Sequence, residues 1–209
     1  MLLLVWIAAL FVSILVHELG HALAMRHYGM NCRIVLYHFG GLAIPDSFGA
    51  WNAARQRQPG AKESIFISAA GPGLQLLLAL IVWSLGIALG IRMELSGWIE
   101  WLAGKTIGNS ELPGSAVVYA AFDAILYPST VWALLNLAPI IPLDGGQIMR
   151  NALVLTNTAD PIRTAHLVSI GVAVLIGIYF MQTGELFGIM FLLLAANNWQ
   201  ALQSGGRGF

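Results

Sequence analysis

Residues 1–28 read MLLLVWIAALFVSILVHELGHALAMRHY. Ser13 alone interrupts the apolar run of the first sixteen positions, and the apolar pattern continues past His17-Glu18-Leu19-Gly20-His21 to about Tyr28. At 1.5 Å per residue such a helix reaches roughly 40 Å, enough to cross a hydrocarbon core of about 30 Å. A cleaved signal peptide needs a basic start and a small-residue cleavage site, and neither is present. The stretch therefore reads as a membrane span that carries two histidines and a glutamate.

The rest of the chain agrees. Of 209 residues, 58% are hydrophobic and 10% charged, against about 25% charged in an average soluble domain. A mean hydropathy of +0.77 is too apolar for one globule to cover with polar surface. Ten basic and ten acidic residues balance, so nucleic acid is not an expected partner. Cys32 is the single cysteine, which excludes an internal disulfide.

Further spans are expected at about Ser64–Gly90, from Pro128 into the 140s, and as a final hairpin of Thr164–Met181 and Leu186–Gln203. Pro128 suits a first-turn position, and Ser115–Leu126 reads as an amphipathic surface segment before it. The expected fold is an all-α polytopic membrane protein of about five transmembrane helices. It forms a single domain over residues 1–209, with a core of 1–155 and an accessory hairpin of 164–203. Arg33 to Phe39, then Gly40-Gly41 as a breaker, then Leu42 to Pro45 suggest a short strand pair beside the membrane. Asp46 to Lys62 reads as a polar loop, and Trp98 and Trp101 suit an interfacial belt. Five spans gather eight of the ten basic residues on one side, which places the N-terminus outside and the C-terminus in the cytoplasm of a cell membrane.

The chemistry lies in His17-Glu18-Leu19-Gly20-His21. Histidines four apart share a helix face and can grip one metal ion, while Glu18 stands where it can take a proton from a water on that metal. A chance HExxH in this composition is rare, roughly under one in a hundred. The plainer reading has two histidines capping a helix end at the interface with Glu18 paired to Arg26 or another base, but polar groups inside an apolar span are costly without a purpose. A catalytic zinc takes three protein ligands. The third should be another His or carboxylate at similar depth; of Asp46, Asp123, Asp144 and Asp160, Asp144 lies in Asn136-Leu-Ala-Pro139-Ile-Ile-Pro142-Leu143-Asp144-Gly145-Gly146. Counting sixteen residues from Met1 to His17 and sixteen from Pro128 to Asp144 sets both near one depth. Pro139 and Pro142 interrupt the third span and free the carbonyls of Leu135 and Ala138.

These residues, with Phe39-Gly40-Gly41 between them, resemble the site-2 protease family of intramembrane zinc metalloproteases, in its compact prokaryotic branch without PDZ or CBS modules. The resemblance covers residues 1–155. It implies Zn2+ held by His17, His21 and Asp144, Glu18 as general base, and cleavage of membrane-embedded substrates. The family's Gly-Pro-x-x-Asn element reads Gly71-Pro72-Gly73-Leu74-Gln75 here, with the amide one methylene longer. Asn136 is the candidate oxyanion donor, or else it satisfies a carbonyl freed by the prolines. The strand region at Gly40 and Gly41 is the candidate substrate-binding edge.

Expected partners are a membrane-anchored protein substrate, the lipid bilayer and a regulatory membrane protein. A metal transporter and a proteolytically silent metal-binding scaffold are the competing readings. Glu18 between the histidines argues against the first, and the filled catalytic positions argue against the second. His27, His38 and His166 read as interfacial or hydrogen-bonded histidines, and Cys32 as a small packed hydrophobe. Asp123 reads as an outer-interface residue and Asp160-Pro161 as a turn or helix start. Gly171, Gly177, Gly184 and Gly188 suggest either close helix packing or gate flexibility. Asn197-Asn198-Trp199 reads as the inner end of the last helix, with no functional role assigned.

Overall fold

Long apolar runs bounded by glycine and proline fold into six α-helices and one hairpin among the described residues. The computed structural model describes residues 2–30, 32–37, 40–45, 58–90 and 116–204. In chain order these are α1 (Leu2–His27), β1 (Cys32–Tyr37), β2 (Gly40–Pro45), α2 (Ala61–Ala88), α3 (Ala116–Asn136), α4 (Asp144–Leu155), α5 (Pro161–Gln182) and α6 (Phe187–Gln203). By length and composition α1, α2 and α5 can cross a membrane. Five spans were expected and three helices meet that standard among the described residues. At 17 residues α6 is about 26 Å long, short of a hydrocarbon core. Trp98, Trp101, His38, Phe39 and the segments 46–57 and 91–115 lie outside the described residues.

The chain forms two compact units, Met1–Asp46 with Ala70–Leu135, and Ser47–Ala69 with Asn136–Phe209. In the first unit α1 is polar inside and apolar outside. Ala9, Ser13, His17, Gly20, His21 and Ala24 follow three- and four-residue steps along a buried face. Leu4, Phe11, Leu15, Leu19 and Leu23 are exposed, Leu4 at 71%. Water would penalise such a surface, whereas lipid solvates it and drives the polar groups inward. Ala79 of α2 and Leu126 of α3 form a small core with Val82, Trp83 and Phe122 around it.

Two local expectations for this unit are corrected. Pro128 sits inside α3, not at its first turn, because the helix runs unbroken from Ala116. Burial of Ala124, Leu126 and Ser129 around it offsets the hydrogen bond that the proline removes. Gly40 and Gly41 do not break the strand region. They begin β2, paired with Tyr37 and Leu36 in an antiparallel ladder that runs to Cys32–Pro45. Both strands contact α1.

In the second unit α5 packs against α4 and α6. Asp160 caps α5 by accepting from the Arg163 N–H at 3.0 Å, with Pro161 in the first turn. The glycines of the final hairpin divide by role. A Cβ on Gly177 or Gly188 would collide with the facing helix, at 2.9 Å from Leu192 Cδ2 in the first case. Gly171 has nothing within 4 Å, and Gly184 supplies the positive φ of 81° just beyond the end of α5. Close packing accounts for one pair, and chain reversal for Gly184.

Candidate metal and catalytic site

The buried face of α1 presents the HExxH residues together. His17 is 5% exposed, Glu18 6% and His21 8%. The two imidazoles meet edge to face, their planes at 79° and their Nε2 atoms 3.1 Å apart. Leu19, between them in sequence, is 41% exposed on the apolar side. The motif therefore turns its three polar side chains inward and its leucine outward, as a 3.6-residue period requires.

α2 is shaped to fit this face. Gly71 lies against His21 so closely that a Cβ there would occupy the imidazole ring. Gly20 approaches the backbone of Ala70 and Gly71 with equally little room. One turn after Gly71, the fully buried Gln75 reaches His17: its Oε1 is 2.9 Å from Nδ1. The Gln75 amide donates to Ser13 Oγ at 2.8 Å, and the Ser129 hydroxyl donates to the same oxygen at 2.9 Å. Pairing of 71 with 21 and 75 with 17 makes α1 and α2 antiparallel neighbours here.

In the second unit, Asp144 is the first residue of α4, which follows the irregular segment 137–143. It does not continue the third span, so the depth count from Pro128 does not hold. Pro139 and Pro142 lack N–H groups, and the chain leaves the helix at Asn136 before resuming. The freed groups find other partners. The Ala138 carbonyl accepts from Ile140 N–H at 2.7 Å. Ile141 N–H donates to Ser169 Oγ at 3.0 Å, and the Ile141 carbonyl accepts from the Asn198 amide at 2.6 Å. Asn198 also donates to the Leu194 carbonyl, and its Oδ1 accepts from His166 Nδ1 at 2.8 Å. Gly145 and Gly146 let the first turn of α4 lie on the backbone of Leu137–Ile141, since a Cβ on either would collide with it. Asp144 thus stands on a segment braced by α5 and α6, at a helix N-terminus, where negative charge is favoured. Asn136 is half-buried at the end of α3.

Asn198→Ala should strand the Ile141 carbonyl and the His166 ring, at about 1–3 kcal/mol for each buried group left unsatisfied. The thermal midpoint of the purified protein in detergent is expected to fall by several degrees, and an unchanged midpoint would remove the brace.

The sequence model of peptidase family M50 matches residues 5–178. The chain belongs to peptidase family M50. It is 28% identical over 145 residues, 68% of this chain, to a Synechocystis sp. protein named "Putative zinc metalloprotease". The chain spans 29% of that protein's length. It also shares the fold of a site-2 protease from Methanocaldococcus jannaschii, with a TM-score of 0.52, 19% identity, and coverage of 98% of this chain and 79% of that one.

For two residues of this M50 chain the partners were out of reach from sequence. Gln75 bonds across 58 positions and Asn198 across 57 and 32, so only the folded chain shows what they hold. The legible signals were a polar amide inside an apolar helix and, for Gln75, its place in Gly71-Pro72-Gly73-Leu74-Gln75. Of the remaining candidates, His166 is the hydrogen-bonded histidine just described, and His27 is exposed and stacks edge-on with Tyr28 at 5.2 Å. Cys32 is half-buried with its Sγ 3.6 Å from the Ala22 carbonyl. Asp123 is half-buried on α3.

Proposed function

We propose that this chain is an intramembrane zinc endopeptidase that hydrolyses peptide bonds within or beside transmembrane segments of membrane-anchored proteins. The observation that carries the reading is the buried histidine pair. Their Nε2 atoms stand 3.1 Å apart, close to the spacing of about 3.3 Å between two nitrogen ligands of a tetrahedral zinc. His17, His21 and Asp144 are the proposed donor set, a pair of imidazoles and a carboxylate of the kind that zinc takes. Three protein ligands leave one position for chemistry. Bound zinc would supply Lewis acidity and a more acidic water.

The chain's own residues do the rest. Glu18 takes the proton of the attacking water and returns it to the leaving amine. Asn136 donates its amide N–H to the developing oxyanion. A substrate helix hides its carbonyls in its own ladder, so it must open before it is cut. An opened segment adds to the strand region at Gly40 and Gly41 by backbone pairing. In this reading the protein lies in a cell membrane with its N-terminus outside and its C-terminus cytoplasmic, and a regulatory membrane protein controls substrate access.

The test is cleavage of single-span substrates by purified protein in detergent. Cleavage is expected to stop with a zinc chelator, to return with added zinc, and to rise several-fold when glycine or proline weakens the substrate helix near the cut. Cleavage unaffected by chelation would remove the zinc reading. Indifference to helix weakening would remove the strand-addition step.

A further inference from the structure

We propose that Gln75, pinned by Ser13 and Ser129, fixes the tautomer and ring plane of His17 and so sets the affinity of the metal site. The proposal rests on the reading of His17 as a metal ligand.

Four polar side chains meet in the buried interior of the first unit: Ser13, Gln75 and Ser129 have no exposed surface, and His17 has 5%. Ser13 Oγ accepts from the Ser129 hydroxyl and from the Gln75 amide nitrogen. In this arrangement the amide nitrogen faces Ser13 and Oε1 faces His17. A carbonyl oxygen only accepts, so His17 Nδ1 must carry the proton. The lone pair then lies on Nε2, the atom that faces His21 Nε2. A metal needs that lone pair free, and an outer hydrogen bond to the distal nitrogen also raises ligand basicity.

The helix register reinforces the assignment. Gly71 and Gln75 stand one turn apart on α2 and meet His21 and His17, themselves one turn apart on α1. One position makes room for an imidazole, and the other orients its neighbour. The longer reach of glutamine spans the gap to His17 while its far end stays tied to α1 and α3 through Ser13 and Ser129.

The test compares wild type, Gln75→Leu and Gln75→Glu by competition for zinc with a chelating dye, alongside thermal midpoints of the metal-free proteins. Loss of an outer-shell partner typically weakens metal binding by about 10–100-fold. Gln75→Leu is expected to raise the zinc dissociation constant by that factor. Gln75→Glu, which keeps an acceptor for Nδ1–H, should stay within about threefold of wild type. Ring 15N NMR of metal-free wild type supplies a readout that does not depend on any variant folding, and His17 should carry its proton on Nδ1. Zinc bound by wild type and Gln75→Leu with equal affinity, or a His17 protonated on Nε2, would overturn the Gln75 assignment and leave the metal reading standing. Absence of zinc binding by wild type would overturn both.

Discussion

Glu18→Gln is expected to lower peptide-bond cleavage by about 10³-fold while zinc content stays at the wild-type level, since a positioned general base contributes roughly 10²–10⁴-fold. Glutamine has the size of glutamate and fits the same buried position, so the helix face and the two imidazoles keep their arrangement. What changes is the capacity to take a proton, which an amide lacks. Glu18 is 6% exposed, on the buried face of α1 with the two imidazoles, where a lost base is not readily replaced from solvent. Cleavage by Glu18→Gln within tenfold of wild type would show that another group accepts the proton.

The second large effect is expected at Gly71. A Cβ there would enter the His21 ring, and neither the ring nor the α2 backbone can yield without opening the contact between the helices. Overpacking of this kind costs about 1–3 kcal/mol. Its functional cost is greater, because the side chain displaced is a proposed ligand. Gly71→Ala should therefore lose most bound zinc and with it activity. Gly73→Ala provides the control on the same helix, since nothing lies within 4 Å of its Cβ. That substitution should leave zinc binding unchanged and, by helix propensity alone, add up to about 1 kcal/mol of stability. Equal zinc content in the two variants would contradict the close fit of α2 on His21.

Local signals in the sequence carried much of this. The polar motif inside an apolar run located α1 and its buried face, because three residues at helical spacing point one way whatever surrounds them. Asp160-Pro161, read as a turn or helix start, caps α5, and the gap between Met181 and Leu186 falls at its end, since capping and chain reversal are decided by neighbouring residues. The errors fell where tertiary packing overrides a local rule. Pro128 was assigned to a helix start, yet the buried surroundings of Ser129 and Leu126 carry α3 straight through it. Gly40 and Gly41 looked like a breaker, yet they pair in β2 opposite Leu36 and Tyr37. Asp144 was placed on a kinked continuation of the third span, whereas two prolines, two glycines and the side chains of Ser169 and Asn198 end one helix and begin another. Gln75 stands out in the sequence as the amide of a Gly-Pro-x-x-Asn-like element, and Asn198 only as a polar residue in an apolar helix. Their roles come from partners 30 or more positions away, which no local pattern encodes.

The most direct test is metal analysis of the purified, detergent-solubilised protein and its His17→Ala, His21→Ala and Asp144→Ala variants, with folding checked by thermal midpoint. About one zinc per wild-type chain, lost in each folded variant, is the predicted result. A wild type without zinc, or a folded Asp144→Ala variant that binds zinc as tightly as wild type, would contradict the three-ligand site.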